Sequence, residues 1–265
     1  MMKDQVIKYV TKLLDEGHVQ GFLALREQNG HVFPYLFTKA EELVDLNLGE
    51  CQKAGDGRYP LNKVLIWLTQ SDPNATFALL TRGCDERGLV ELYKWQQLQK
   101  DKVIPVGIAC PQDLAEMCAC GKPYPESCVA GEKVEGVAGA AAVEAIEKLS
   151  TAERFRFWMK QFDRCIKCYG CRNICPMCFC KECSLEEKEL IQTGELPTEN
   201  PIFHLTRAVH MIGRCIDCGL CEEVCPADIP LRSLYKKVAK IVTAETGFRP
   251  GLNADEKCPF NVVGL

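Results

Sequence analysis

The spacing of apolar residues divides the chain into two stretches of different texture. In the first, helical and strand periods alternate. Val6, Ile7, Val10, Leu13 and Leu14 recur at helical spacing over residues 3–16, and Asp15, Glu16 and Gly17 end that helix. Gly21 to Glu27 reads as a strand. Asn29-Gly30 is a hairpin turn, and Val32 to Phe37 returns beside the strand, with Pro34 suited to an edge. Glu41 to Leu48 reads as a short connection. Leu61 to Gln70 predicts a helix with Pro60 at its start. Ala75 to Thr81 and Val103 to Ala109 are apolar runs fit for buried strands. Between them, Asp85 to Gln99 predicts an amphipathic helix with Leu89, Leu92, Tyr93 and Leu98 on its inner face. Strand, helix, strand in this order is a βαβ unit, hence parallel strands and a right-handed crossover.

The second stretch opens at Gly131, Gly136 and Gly139. These read as an interdomain linker rather than a phosphate cradle, because no G-x-G-x-x-G follows a strand. An Ala-rich helix follows. Ser150 and Glu153 form a capping box for the next helix. That helix carries Phe155, Phe157, Trp158, Met159 and Phe162, read as core packing that dries whatever follows. Beyond it, cysteines replace periodicity. Residues 184–202 are a polar insert, Leu205 to Gly213 a short helix, and Leu231 to Thr246 an amphipathic helix closed by Gly247. The remaining residues read as a wrapping tail. His204 and His210 do not share a helix face, so core or solvated histidines are expected there rather than ligands.

Composition sharpens this picture. The 265 residues suit one large or two ordinary domains, and 47% hydrophobic content supports a real core. Eighteen cysteines are extreme for this length. The opening residues carry Lys3, Asp4, Lys8 and Lys12 and do not resemble an export signal, so metal binding in a reducing cytoplasm is expected rather than disulfides. No apolar run approaches the length of a membrane span. The net charge of −4, made more negative by metal-bound thiolates, argues against a nucleic-acid partner.

Two cysteine runs stand out. Cys165, Cys168, Cys171 and Cys175 precede Pro176, and Cys215, Cys218, Cys221 and Cys225 precede Pro226. Each reads C-x2-C-x2-C-x3-C-P. Three thiolates in one tight loop can reach three irons of a 4Fe–4S cubane, and the fourth, further along, is carried out of its own loop toward a second cluster. Zinc ribbons use C-x2-C pairs without this closure. Residues 160–235 resemble a bacterial two-cluster ferredoxin. The resemblance implies crossed ligand sets: Cys165, Cys168, Cys171 and Cys225 for one cluster, and Cys215, Cys218, Cys221 and Cys175 for the other.

Other thiols lie outside these runs. Cys84 follows the first strand of the βαβ unit at a helix N-terminus, and Cys110 follows the second, so both are expected at the crevice beyond the strand ends. Cys118, Cys120 and Cys128 occupy the Gly- and Pro-rich loop that follows. These five are read as a further metal site, iron–sulfur or zinc. Cys178, Cys180 and Cys183 follow the first run as C-x-C-x2-C and are read as ligands of a further cluster, its fourth ligand from the N-terminal domain. Cys51 and Cys258 are read as structural.

The segment Thr81-Arg82-Gly83-Cys84-Asp85-Glu86-Arg87, with Val106-Gly107-Ile108-Ala109-Cys110 after the helix, resembles the cysteine-bearing core of β subunits of deazaflavin-dependent hydrogenases and formate dehydrogenases. That resemblance, over roughly residues 5–135, implies iron–sulfur clusters, FAD, and partner subunits of flavoprotein, hydrogenase or formate dehydrogenase type. The expected architecture is an α/β domain with a small parallel or mixed sheet and a cysteine-lined crevice over 1–135. An α+β ferredoxin-like dicluster domain with a helical insert and a tail is expected over 136–265. No catalytic triad, acid–base pair or phosphate loop stands out, so electron transfer within a cytoplasmic complex is the leading expectation. The alternative is a flavin-dependent β subunit that itself reduces a deazaflavin. The first loop carries Arg164, Lys167 and Arg172, the second Asp217, Glu222 and Glu223, which by themselves predict the higher potential for the first cluster.

Overall fold

The computed structural model describes residues 1–49, 58–137, 141–189 and 199–260. Cys51 lies outside them. The chain forms two compact units, Met1–Gly139 with Gly251–Asp255, and Ala140–Pro250 with Glu256–Gly264.

The first unit opens with α1 (Met2–Asp15), whose Val6, Val10 and Leu13 are buried as their spacing requires. Strands β1 (Gly21–Gln28) and β2 (His31–Phe37) form an antiparallel hairpin that pairs Phe22 with Phe37 and Leu25 with Pro34. Its turn places Asn29 at φ +54° and Gly30 at +76°, the conformation that Asn-Gly favours in two-residue hairpins. The expected connection after it contains a 3-10 turn, Ala40–Asp45, and a short strand, β3 (Leu46–Asn47), antiparallel to β1. Helix α2 (Leu61–Ser71) leads to β4 (Phe77–Thr81), α3 (Gly83–Lys94) and β5 (Val103–Gly107). The sheet order is β2-β1-β4-β5, with β4 parallel to β1 and to β5. This is the parallel βαβ unit expected, joined to a hairpin in one small mixed sheet. Leu79, Leu89, Leu92 and Val106 are at most 2% exposed, and each contributes roughly 1.5–3 kcal/mol by leaving water.

Some boundaries differ from the sequence reading. Helix α3 ends at Lys94 rather than Gln99, because Gln96 turns left-handed at φ +53°; Leu98 is buried from the loop that follows. A short helix, α4 (Gln112–Met117), follows Cys110. Residues 129–137 are not free linker. The Ala109 N–H donates to the Ala130 carbonyl at 3.0 Å, and the Val137 N–H to the Cys120 carbonyl at 2.8 Å. Here backbone hydrogen bonding outweighs the glycine-rich composition.

Among the described residues of the second unit the regular elements are helices: α5 (Ala141–Glu147), α6 (Thr151–Phe162), α7 (Gly170–Asn173), α8 (Asn200–His210), α9 (Leu220–Glu223) and α10 (Leu231–Thr246). The Ser150–Glu153 capping box is present at the start of α6. The aromatic stripe of α6 is not core throughout. Phe162 is 2% exposed and stacks on His204 at 4.7 Å, whereas Phe155 is 65% exposed. Helix α8 begins five residues before the sequence reading placed it, so residues 200–202 belong to the helix and not to the insert. Helix α10 packs against α5, α8 and α9.

Candidate metal centres

The two cysteine loops have the same backbone design. In the first, Lys167 and Tyr169 lie at φ +49° and +60°; in the second, Asp217 and Gly219 lie at +55° and +82°. Left-handed residues alternating with cysteines curl each loop around its thiols. Lys167 thereby turns its N–H toward the Cys165 sulfur at 3.4 Å. Each curl then enters a one-turn helix, α7 or α9, which carries the fourth cysteine away. The three non-glycine residues cost roughly 1–2 kcal/mol each in this region. Such strain marks a loop whose shape is imposed by what it surrounds.

Three cavities result. One, of about 320 Å³, is lined by Cys165, Cys168, Cys171 and Cys225, with Pro226 and His204 beside them. A second, of about 360 Å³, is lined by Cys175, Cys215, Cys218 and Cys221, with Arg207, Arg232 and Tyr235. Each therefore joins three thiols of one run to the fourth of the other. The third, of about 430 Å³, is lined by Cys178, Cys180, Cys183, His210, Arg172 and Arg214, among others. Among the described residues no three Cys, His, Asp or Glu side chains are gathered closely enough for one metal ion. A cubane asks for wider spacing, since each thiolate binds a different iron.

Two buried groups test the fit of anionic clusters. Arg207 on α8 is 2% exposed. It donates through Nη2 to the Cys171 carbonyl at 2.8 Å and through Nη1 to the Tyr235 hydroxyl. Its described partners are thus neutral, and its Nε has no partner among the described residues. Burial alone would lower its pKa, but Tyr235 and the Cys175, Cys171 and Cys178 thiols outweigh that and hold it well above its ordinary value. A buried cation without a carboxylate costs several kcal/mol unless other negative charge offsets it. Four thiolates around an iron–sulfur core supply that charge. His204, 1% exposed, lines the first cavity, and neither of its ring nitrogens has a partner among the described residues. Burial, then Arg207, pushes its pKa down to about 4, so the ring is neutral with one N–H to donate. It is a core histidine, as one of the two sequence readings had it, but it also faces the thiols.

Burial pushes the Cys165, Cys171, Cys215 and Cys221 thiols upward, Cys171 to about 11 and Cys215 to about 12. Those four thiols, when free, would be protonated. Metal binding must displace those protons, which makes assembly favour higher pH.

In the first unit, Cys84 and Cys110 stand at the ends of β4 and β5, as expected. Loop 122–130 lies across those strand ends. A Cβ on Gly83 would meet the Lys122 carbonyl oxygen at 2.3 Å, and one on Gly107 would meet the Ser127 carbonyl oxygen at 1.8 Å, so only glycine permits this approach. Cys110 interacts electrostatically with both Cys84 and Cys128. Cys110 is buried and receives the Arg82 Nη1 at 3.2 Å. Cys118 receives the Arg58 Nη1 at 3.5 Å at the end of α4, and Cys120 is buried two residues on. Burial, reinforced by Asp85, drives the Cys84 thiol up, while Arg58 and Arg87 oppose it. The arginines around these thiols were not singled out from the sequence. Thr81-Arg82-Gly83-Cys84 was the signal that could have found Arg82.

Comparison with known proteins finds an iron–sulfur domain over the two cysteine runs. Residues 164–230 match the model of the 4Fe–4S dicluster domain, so the chain carries an iron–sulfur dicluster domain. It is 42% identical over 105 residues, 40% of its length, to the F420-dependent formate dehydrogenase subunit beta of Methanocaldococcus jannaschii. It is equally similar over 113 residues, 43% of its length, to F420-dependent formate dehydrogenase 1 subunit beta of Methanococcus maripaludis. The chain spans about 28% of the length of each. A weaker similarity, 28% over 102 residues (38% of this chain and 11% of the relative), links it to the acetyl-CoA decarbonylase/synthase complex subunit alpha 1 of Methanosarcina acetivorans. No described helix is long and apolar enough to cross a membrane.

Proposed function

We propose that this chain is the electron-transfer subunit of a larger redox complex. In this reading Cys165, Cys168, Cys171 and Cys225 hold one 4Fe–4S cluster, and Cys215, Cys218, Cys221 and Cys175 hold the other, in a ferredoxin-like arrangement. Bound there, the clusters supply one-electron chemistry. The protein's part is to hold and bias them. The left-handed loop residues aim backbone N–H groups at thiolate sulfur. His204 donates an N–H toward the first site, and the Arg207 guanidinium favours added negative charge beside the second. The observation that carries the reading is Arg207, a buried cation with neutral described partners beside thiol-lined cavities.

Partner subunits of formate dehydrogenase type belong to this reading, supported by the names of two relatives, which are themselves formate dehydrogenase subunits. Cys84, Cys110, Cys118, Cys120 and Cys128 make a further metal site in the same reading, supported by the electrostatic coupling of Cys110 to both Cys84 and Cys128. The chain works in the cytoplasm, where thiols stay reduced.

The test is Cys175→Ala in anaerobically reconstituted protein. Loss of the cluster of Cys215, Cys218 and Cys221, with that of Cys165, Cys168 and Cys171 retained, is expected in electron paramagnetic resonance. Loss confined to the first cluster would refute the crossed sets. A flavin assay on the same sample decides the alternative: stoichiometric FAD surviving purification would make the chain a flavin-dependent subunit.

A further inference from the structure

The tail that follows the first cysteine run forms a cavity of its own within the second unit. Cys178, Cys180 and Cys183 line it, together with His210, the last residue of α8. The sequence reading took the fourth ligand for these thiols from the N-terminal domain; within the second unit, His210 lines the same cavity. Its Nδ1 is 3.4 Å from the Ser184 hydroxyl oxygen. If Nδ1–H donates there, the Nε2 lone pair is free for a metal, the usual way an outer partner selects a histidine tautomer.

The charges around the cavity ask for an anion. Arg172, Arg207 and Arg214 all line it. Arg214 Nη1 is 3.9 Å from the Cys180 sulfur, and the Arg172 guanidinium interacts electrostatically with Cys183. Arg207 is almost wholly buried, with its Nε unpartnered among the described residues. Glu186 pairs with Arg172 at 2.8 Å but is half exposed, at 51%, and offsets one cation weakly. The cavity's thiols are not gathered to the radius of a single ion. Cys178 also hydrogen-bonds the Cys175 thiol, so this cavity adjoins the second one.

We propose that Cys178, Cys180, Cys183 and His210 hold a third iron–sulfur cluster of the 4Fe–4S type. The proposal rests on the reading above that the eight motif cysteines hold two such clusters. Three thiolates and a neutral imidazole leave the oxidised site about one unit less negative than a four-thiolate cluster. The three arginines offset the charge that remains. Standing next to the second cluster, it is placed to extend the chain of one-electron centres.

The experiment uses the full chain, reconstituted anaerobically with ferrous iron and sulfide. The triple variant Cys178→Ala/Cys180→Ala/Cys183→Ala should bind about four irons fewer per chain than the parent, with the spectra of the two motif clusters intact as the folding control. In pulsed electron paramagnetic resonance, the reduced parent should show a nitrogen coupling that changes when histidine alone carries nitrogen-15. His210→Cys should keep the iron and lose that coupling. Equal iron in parent and triple variant, with both motif-cluster spectra present, would overturn the third cluster and leave the two-cluster reading standing. Fewer than about eight in the parent would remove the two-cluster reading and the inference with it. Zinc in the parent, absent from the triple variant, would overturn the cluster in favour of a single ion. A histidine coupling unchanged in His210→Cys would overturn His210 as the ligand.

Discussion

Replacing Arg207 with Gln removes a buried positive charge and leaves most of the side-chain volume. Arg207 lines the second cavity, and its Nη2 is 2.8 Å from the carbonyl of Cys171 in the first loop. Reduction adds one negative charge to a cluster, so a nearby cation stabilises the reduced form. At an effective dielectric near 20 and a separation of about 8 Å, Coulomb's law gives roughly 2 kcal/mol, or on the order of 90 mV for one electron. Screening by bulk salt is weak because Arg207 is 2% exposed. Both potentials should therefore fall in Arg207→Gln, the second cluster's by about 50–100 mV and the first's by less. The Tyr235 hydroxyl and Cys171 carbonyl lose a partner, at a cost of about 1–3 kcal/mol in stability. Arg207→Lys separates these effects, since it keeps the charge and loses the fork. The assay is a redox titration followed by electron paramagnetic resonance on parent and both variants. Unchanged potentials in Arg207→Gln with both clusters present, or an equal fall in Arg207→Lys, would refute the electrostatic argument.

Three further outcomes are expected. His204 has a pKa of about 4, below its ordinary value, so it is already neutral near pH 6; reduction of the first cluster should take up no proton there, and its potential should be flat between about pH 6 and 8. A slope near 59 mV per pH unit in that titration would contradict this, and His204→Leu should lower the first potential. Lys167→Gly relieves a left-handed backbone at φ +49° and should stabilise the holoprotein by about 1 kcal/mol in denaturant unfolding; a loss of stability would mean that the Lys167 side chain outweighs the strain. Gly107→Ala forces a methyl group into the Ser127 carbonyl, and a destabilisation of about 2–3 kcal/mol is expected from thermal melting; a neutral result would mean that loop 122–130 yields freely.

The sequence by itself determined the elements and the ligand chemistry. Apolar spacing is a local property, and it located α1, the β1–β2 hairpin, β4, α3, β5 and α10 to within a few residues. The cysteine spacing is equally local, because the reach of three thiols in a seven-residue loop follows from chain geometry. Tertiary structure decided the environment of those thiols. No local pattern distinguishes Arg207 and His204 from surface residues of α8, but packing against Phe162, Tyr235 and the first loop buries both beside the cavities. The same holds for charge. The acidic second loop suggested a lower potential for its cluster, yet Asp217 pairs with Arg232 at 2.6 Å and Lys236 at 3.3 Å, and Arg207 stands beside the same cavity. That removes the basis for ordering the potentials from loop charges alone. His210 likewise became a candidate ligand only when the fold set the end of α8 beside Cys178, Cys180 and Cys183. A potential depends on every charge within several ångströms, and only the folded chain determines which charges those are.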